Sequence, residues 1–247
     1  MESLDCVMVT FLTRRSLVAW LLCSVIGAQA ATTASSANTD KADAVLLDMA
    51  NAFQKNDRKK LSQLLPQARG HVLEPWAAYW ELRVRLGGAS DAEVKEFLNR
   101  YSGTYQEDRL RNDWLLVLGQ REEWTQFERE YALYRMHDDK EVECYADWLE
   151  ASQKKFVGTV ALEEQIRKTW LAQRQADDGC SYAMEQLLLA NKVSAQDIWR
   201  KARLMVEFNR KSAARDALRM VSGKSLSPLD ELMNNPAKFL AGRGHTM

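Results

Sequence analysis

Glycine and proline are scarce in this chain: 11 and 4 among 247 residues. Both are unfavourable inside helices, so their shortage leaves room for long helical runs. Strand-like alternation of apolar and polar residues is almost missing as well, which argues against a β or α/β fold. There is no excess charge of either sign. Lys+Arg and Asp+Glu are both 34, so the clustered positive charge that grips phosphate backbones is lacking and no nucleic-acid partner is expected. Histidine occurs only as His71, His137 and His245. No two of these stand at HxxxH or HExxH spacing, so a zinc site has no ligand set, and no metal or cofactor is expected.

What is present begins with an export pattern. Arg14–Arg15 precede the apolar run Leu17–Ile26, and Ala28-Gln29-Ala30 follows as a small-x-small cleavage site. Ten residues rise only about 15 Å as a helix, too short to span a bilayer. The competing reading is a short buried helix, but the order of basic, apolar and cleavage regions favours a signal peptide over 1–30, cut after Ala30. A periplasmic location follows as an expectation. Thr13-Arg14-Arg15-Ser16-Leu17-Val18 also fits a loose twin-arginine pattern, so the export route stays open. Cys23 follows Leu22, where a lipoprotein signal wants a small residue, so no stable membrane anchor is expected. Residues 31–41 read as a flexible mature N-terminus.

Removing the signal removes Cys6 and Cys23 and leaves Cys144 and Cys180, 36 residues apart. An exported pair invites a disulfide, worth about 3–4 kcal/mol by loop closure. The alternative is two buried thiols that never meet.

Apolar residues recur at helical spacing through the rest of the chain. Met49 and Phe53, Leu110, Trp114 and Leu118, Ile166 and Trp170, and Ile198, Ala202 and Met205 each form one face of a helix. Glycines at 70, 87, 103 and 119 follow such segments at intervals of 17, 16 and 16, and each is expected to form a left-handed C-terminal cap. A helix with its turn then takes about 16 residues and a pair about 33, the rhythm of a repeat array. The fold expected is all-α: a superhelical α-solenoid, a horseshoe of stacked helical hairpins, over 42–240, with 241–247 as a tail or truncation point. Ser90-x-x-Glu93 reads as a capping box, and Ser194-x-x-Asp197 as a looser one. Trp114 and Trp124 flank a charged corner at Gly119–Glu123. Together with Trp76, Tyr79, Trp80 and Phe127 they are expected to pack as structural core.

No catalytic residue stands out. Glu122–Glu123 and Glu163–Glu164 are adjacent on helices and point about 100° apart, which suits a solvated surface rather than a facing acid/base pair. His137 with Cys144 makes a poor nucleophile pair for an exported cysteine. Gly242-Arg243-Gly244 lacks the strand-to-helix context of a phosphate loop. Trp76, Trp80, Trp148, Tyr134 and Tyr182 could stack on sugar rings, but periodicity explains Trp76 and Trp80 as packing, and none is assigned as a glycan contact.

Five stretches in order resemble the N-terminal superhelical region of soluble lytic murein transglycosylases, over roughly 42–240. They are LEPWAAYWELR (Leu73–Arg83), FLNRYSGTYQEDRLRNDWLLVLGQREEWTQF (Phe97–Phe127), the cysteine contexts EVECYADWL and DDGCSYAMEQL, DIWRKARL (Asp197–Leu204), and NPAKFL (Asn235–Leu240). The resemblance implies a horseshoe of paired helices with a disulfide in this region and peptidoglycan glycan strands as partner, alongside other cell-wall proteins. It implies membership of enzymes that cut between N-acetylmuramic acid and N-acetylglucosamine and close a 1,6-anhydro product. Their catalytic glutamate lies in a C-terminal lysozyme-like domain, in a Glu-Ser dipeptide followed by a Gly-Leu-Met-Gln-like stretch. Here the only Glu-Ser is Glu2–Ser3, Gly-Leu-Met-Gln does not occur, and the chain stops at Met247. The expectation is a fragment or truncated product, non-catalytic by itself, with apolar surface exposed around Phe239–Leu240. The alternative is a periplasmic α-solenoid scaffold for protein interaction.

Overall fold

The computed structural model describes residues 41–153, 159–222 and 227–243. The expected signal peptide, Cys6, Cys23, Gly158, Gly223 and His245 lie outside the described residues, as do most of the expected mature N-terminus and tail. Among the described residues every regular element is helical, so the protein is all-α. Two compact units are present, one up to Ala77 and one from Ala78.

The first unit holds α1 (residues 41–54), α2 (Arg58–Leu64) and a short 3-10 turn, Leu65–Ala68. Leu46, Met49, Ala52, Leu61 and Ala68 are buried. Asn56 takes a left-handed φ of 53°. It lets Asn56 N bond Phe53 O and Asp57 N bond Ala52 O, the two bonds of a Schellman end. Asp57 then caps α2 by accepting from Lys60 N at 3.0 Å. His71 Nδ1 accepts from Leu73 N at 3.0 Å, so the ring proton sits on Nε2 and is donated to Asp43 Oδ1 at 2.8 Å.

The helix α3 (Glu74–Arg83) contains the boundary between the units. The second unit continues through α4 (Asp91–Arg100), α5 (Tyr105–Gln120), α6 (Trp124–Tyr131), α7 (Lys140–Gln153), α8 (Thr159–Ala172), α9 (Asp178–Leu189), α10 (Ala195–Glu207), α11 (Lys211–Ser222), α12 (Ser227–Asn234) and α13 (Pro236–Arg243). Helices pack mainly on their neighbours in sequence: α5 on α4 and α6, α7 on α8 and α9, α10 on α11, and α12 on α13. α5 also reaches α7 and α9, and α8 reaches α10. Near-neighbour packing of this kind is how stacked helices bury faces that none could bury alone.

Ser90 and Glu93 form the expected capping box: Glu93 N bonds Ser90 Oγ at 3.3 Å and Ser90 N bonds Glu93 Oε2 at 2.9 Å. Asp197 Oδ2 likewise accepts from Ser194 N at 3.0 Å. The glycine rhythm needs correction. Gly70 and Gly103 are left-handed, at φ of 79° and 81°. Gly87 lies in a 3-10 turn, Leu86–Gly88, and Gly119 lies inside α5. The left-handed residue that ends α5 is Glu122, at φ 57°, with Glu123 N on Leu118 O and Glu122 N on Gly119 O. Asn191 and Asn209 close α9 and α10 in the same way. Gly119 has a different reason to be glycine: a Cβ there would meet the Tyr145 ring at 2.6 Å.

Candidate functional site

Cys144 on α7 and Cys180 on α9 form a disulfide, with Cα atoms 4.9 Å apart. Both are buried in an apolar cluster with Ile166, Trp170, Met184 and Ile198. Enclosure by apolar side chains leaves little of the bond open to solvent. The disulfide also removes Cys144 from any pairing with His137, whose Nδ1 lies 3.0 Å from Glu143 Oε1.

Beside the disulfide, α5, α7, α9 and the α8–α9 connection line an open polar depression of about 490 Å³. Its walls include Gln120, Lys140, Glu141, Arg174, Asp177 and Asp178. Sequence gives the reason for this convergence. Asp177 is the N-cap of α9, its Oδ1 accepting from Cys180 N at 2.6 Å. Glu141 reaches across from the first turn of α7, and its Oε1 accepts from both Asp178 N and Gly179 N at 3.1 Å. Two carboxylates thus meet the positive end of one helix. Gly179 permits the approach, because a Cβ there would lie 2.4 Å from the Glu141 backbone oxygen. Asp178 in turn accepts from Gln120 Nε2 of α5 at 3.0 Å.

The electrostatics of the depression follow from burial and from like charges. Burial, then the nearby Asp177 charge, pushes the Glu141 carboxyl up to about 7. Burial raises Asp177 to about 6, with its hydrogen bond from Cys180 N and the charge of Lys201 opposing. Lys201 of α10 is almost fully enclosed and donates to the Trp170 carbonyl and to Gln173 O at 2.6 Å, covering the C-terminal end of α8. Burial lowers its ammonium to about 8. Two half-buried carboxyls therefore sit on one helix N-terminus and a buried amine on the C-terminal end before it.

The six aromatics expected as core are placed as follows. Tyr79, Trp114 and Phe127 are buried, while Trp76, Trp80 and Trp124 are half-buried. Trp124 does not rest on its helical neighbours alone. Its ring lies 4.8 Å from Trp148, 5.5 Å from Tyr182, 5.8 Å from Tyr145 and 6.0 Å from Phe127, a cluster gathered from α6, α7 and α9. Of the side chains considered for sugar stacking, Tyr134 is buried, its hydroxyl donating to Asn112 Oδ1 at 2.7 Å.

Sequence reasoning passed over Glu141, Asp177 and Lys201. Asp177 could have been found as an N-cap ahead of an apolar helical stripe. Glu141 and Lys201 carry no local signal, since their partners lie 37 and 31 residues away. Among the described residues no group of His, Cys, Asp or Glu converges in a way that could hold a metal ion, and no helix is long and apolar enough to cross a membrane.

These features define an all-α protein of near-neighbour helices with a disulfide-pinned polar junction. No family model matches the chain, and no curated protein matches it. Among solved structures it is similar to an inactive mutant of the lytic transglycosylase Slt from Pseudomonas aeruginosa, at 23% identity and a TM-score of 0.43, over 81% of this chain and 32% of that one. The chain thus spans about a third of that protein's length.

Proposed function

We propose that this chain is the helical scaffold portion of a lytic transglycosylase, exported to the periplasm, where it holds or guides peptidoglycan glycan strands without cutting them. The observation that carries the reading is the sequence resemblance: five stretches in family order, from Leu73–Arg83 to Asn235–Leu240, with both cysteine contexts among them. An all-α fold and a Cys144–Cys180 bridge are consistent with it. The non-catalytic part of the reading is supported by how Glu141, a carboxyl of raised proton affinity, is used. Glu141 Oε1 is committed to two backbone amides, which suits a group that holds a helix rather than one that shuttles protons to a substrate. The horseshoe arrangement of the helices belongs to the same proposal.

The test is incubation of the purified chain with murein sacculi. The proposal expects co-sedimentation with sacculi and no release of anhydromuropeptides. Release of such products, or a chain that stays wholly in the supernatant, overturns it. A second reading, a scaffold for protein partners, is favoured by Trp199 and Val206 on α10, each close to half exposed. Specific capture of a periplasmic protein with no affinity for sacculi would select it.

A further inference from the structure

We propose that copies of this chain associate head to tail, the outward stripe of α10 on one copy seating Trp199 and Arg203 in the groove between α6 and α7 of the next. Both halves of the contact lie in the second unit and share no residue. On α10, Ile198, Ala202 and Met205 are buried. Trp199, Arg203 and Val206, spaced i, i+4 and i+7, form a stripe turned away from that face. Trp199 stays 47% and Val206 46% exposed, with Arg203 exposed between them. Arg200 and Arg210 flank the stripe, and Glu207 is the one acid between Ile198 and Lys211. None of these three arginines forms an ion pair among the described residues. The stripe is therefore an indole among cations that have no anion of their own.

The α6–α7 groove, of about 250 Å³, has the opposite character. Its apolar part is Phe127 and Leu149, both buried, with Tyr131 stacked on Phe127 at 5.9 Å and 11°. Glu128, Asp147 and Glu150 supply its charge, and no basic residue lines it. Glu143, the next carboxylate along α7, is already taken by the Tyr131 hydroxyl and by His137, both at 3.0 Å. Glu128 and Asp147 form no ion pair among the described residues. Burial, then the charges of Glu143 and Glu150, pushes Asp147 up to about 6, with only Lys140 opposing. The groove thus offers aromatic rings beside carboxylates that have no cation. Placing the Trp199 ring against Tyr131 and the Arg203 guanidinium on Asp147 or Glu128 meets both needs at once. The contact joins two different patches, so it is heterologous and leads to rings or open chains rather than stopping at a dimer. This inference does not rest on the murein reading.

The experiment is sedimentation velocity on the full chain. The average mass of the wild type should climb with concentration past that of a dimer, and the association should weaken roughly tenfold or more between about 0.1 M and about 1 M salt. Trp199→Ala with Arg203→Ala removes the stripe, and Glu128→Gln with Asp147→Asn removes the charge of the groove. Each double variant alone should stay monomeric where the wild type associates. An equal mixture of the two should form dimers and stop there, because each supplies the surface that the other has lost. A wild type that is monomeric up to about 1 mM overturns the proposal. So does association that survives in both variants, which would place the contact elsewhere, as at the exposed Leu240, and so does a mixture that stays monomeric. Should a double variant fail to fold, Arg203→Glu at its exposed position carries the test: the proposal requires at least a tenfold loss of association, and an unchanged association overturns it.

Discussion

Two regions of the second unit bury carboxylates, and they neutralise them in opposite ways. Around α5 the neutraliser is guanidinium. Arg111 pairs with Glu107 at 2.5 Å and with Glu130, Arg135 reaches Glu107 at 2.8 Å, and Arg83 reaches Asp113 at 2.8 Å. Tyr79 adds a hydrogen bond to Asp113 at 2.8 Å. At the α7–α9 junction no arginine takes that part, and Glu141 and Asp177 rest on backbone amides and on protons. The consequence shows in Glu107. Burial pushes it up, but the hydrogen bonds and charges of Arg111 and Arg135 more than reverse this and hold it below its ordinary range. Glu141, half-buried and without an arginine, goes up. A partner supplied by the fold can outweigh burial, as at Glu107, whereas burial still raises Glu130 and Asp113 in spite of Arg111 and Arg83.

The strongest way to break the contrast is to remove the guanidinium. Arg111→Leu leaves Glu107 and Glu130 without their shared cation and should cost about 3–5 kcal/mol in urea unfolding. A loss under about 1 kcal/mol would mean that the α5 carboxylates do not depend on it. Next comes the covalent tie at the other region. Replacing Cys144 and Cys180 together by alanine should cost about 3–4 kcal/mol, and the loss should concentrate in exchange protection of α7 and α9. Close approach is tested by glycine. Gly179→Ala puts a methyl against backbone and should cost about 1–3 kcal/mol in thermal unfolding. Gly119→Ala meets the buried Tyr145 ring, which must move within its aromatic cluster, and should cost a similar amount. Outside both regions, Ser90→Ala removes one side of a capping box and should cost about 1 kcal/mol, without changing either pH profile.

The difference between the regions also explains how much was legible beforehand. Helices and their starts are written locally, in the stripe Leu110–Trp114–Leu118 and in Ser90 ahead of Glu93, and the cysteines carry their own reason to pair. The far face of α5 reads as solvent-exposed because Asp108, Arg111 and Asn112 are polar, yet all three are buried. Their partners come from the α6–α7 region: Asp108 accepts from Met136 N at 2.9 Å and Arg111 finds Glu130, at separations of 28 and 19 residues that no periodicity predicts. Gly119 misled for a related reason. A glycine after an apolar run suggests a helix end, whereas Gly119 makes room for Tyr145, as Gly179 does for the Glu141 backbone. The depression beside the disulfide is invisible in sequence because it is made by four segments that share no motif.

Linkage turns the comparison into a pH prediction. Glu107, held low when folded, contributes stability that is present above its unfolded value and is lost as pH falls through the folded one. Glu141 does the reverse. Between about 4.5 and about 7 the folded chain keeps a proton that the unfolded chain has released, so stability from this group declines as pH rises through that range. The most direct measurement is a carboxyl-carbon NMR titration that follows Glu107 and Glu141 in one sample. The account predicts a Glu141 midpoint near 7 and a Glu107 midpoint below the ordinary glutamate value. Two glutamates titrating together in the ordinary range would contradict it.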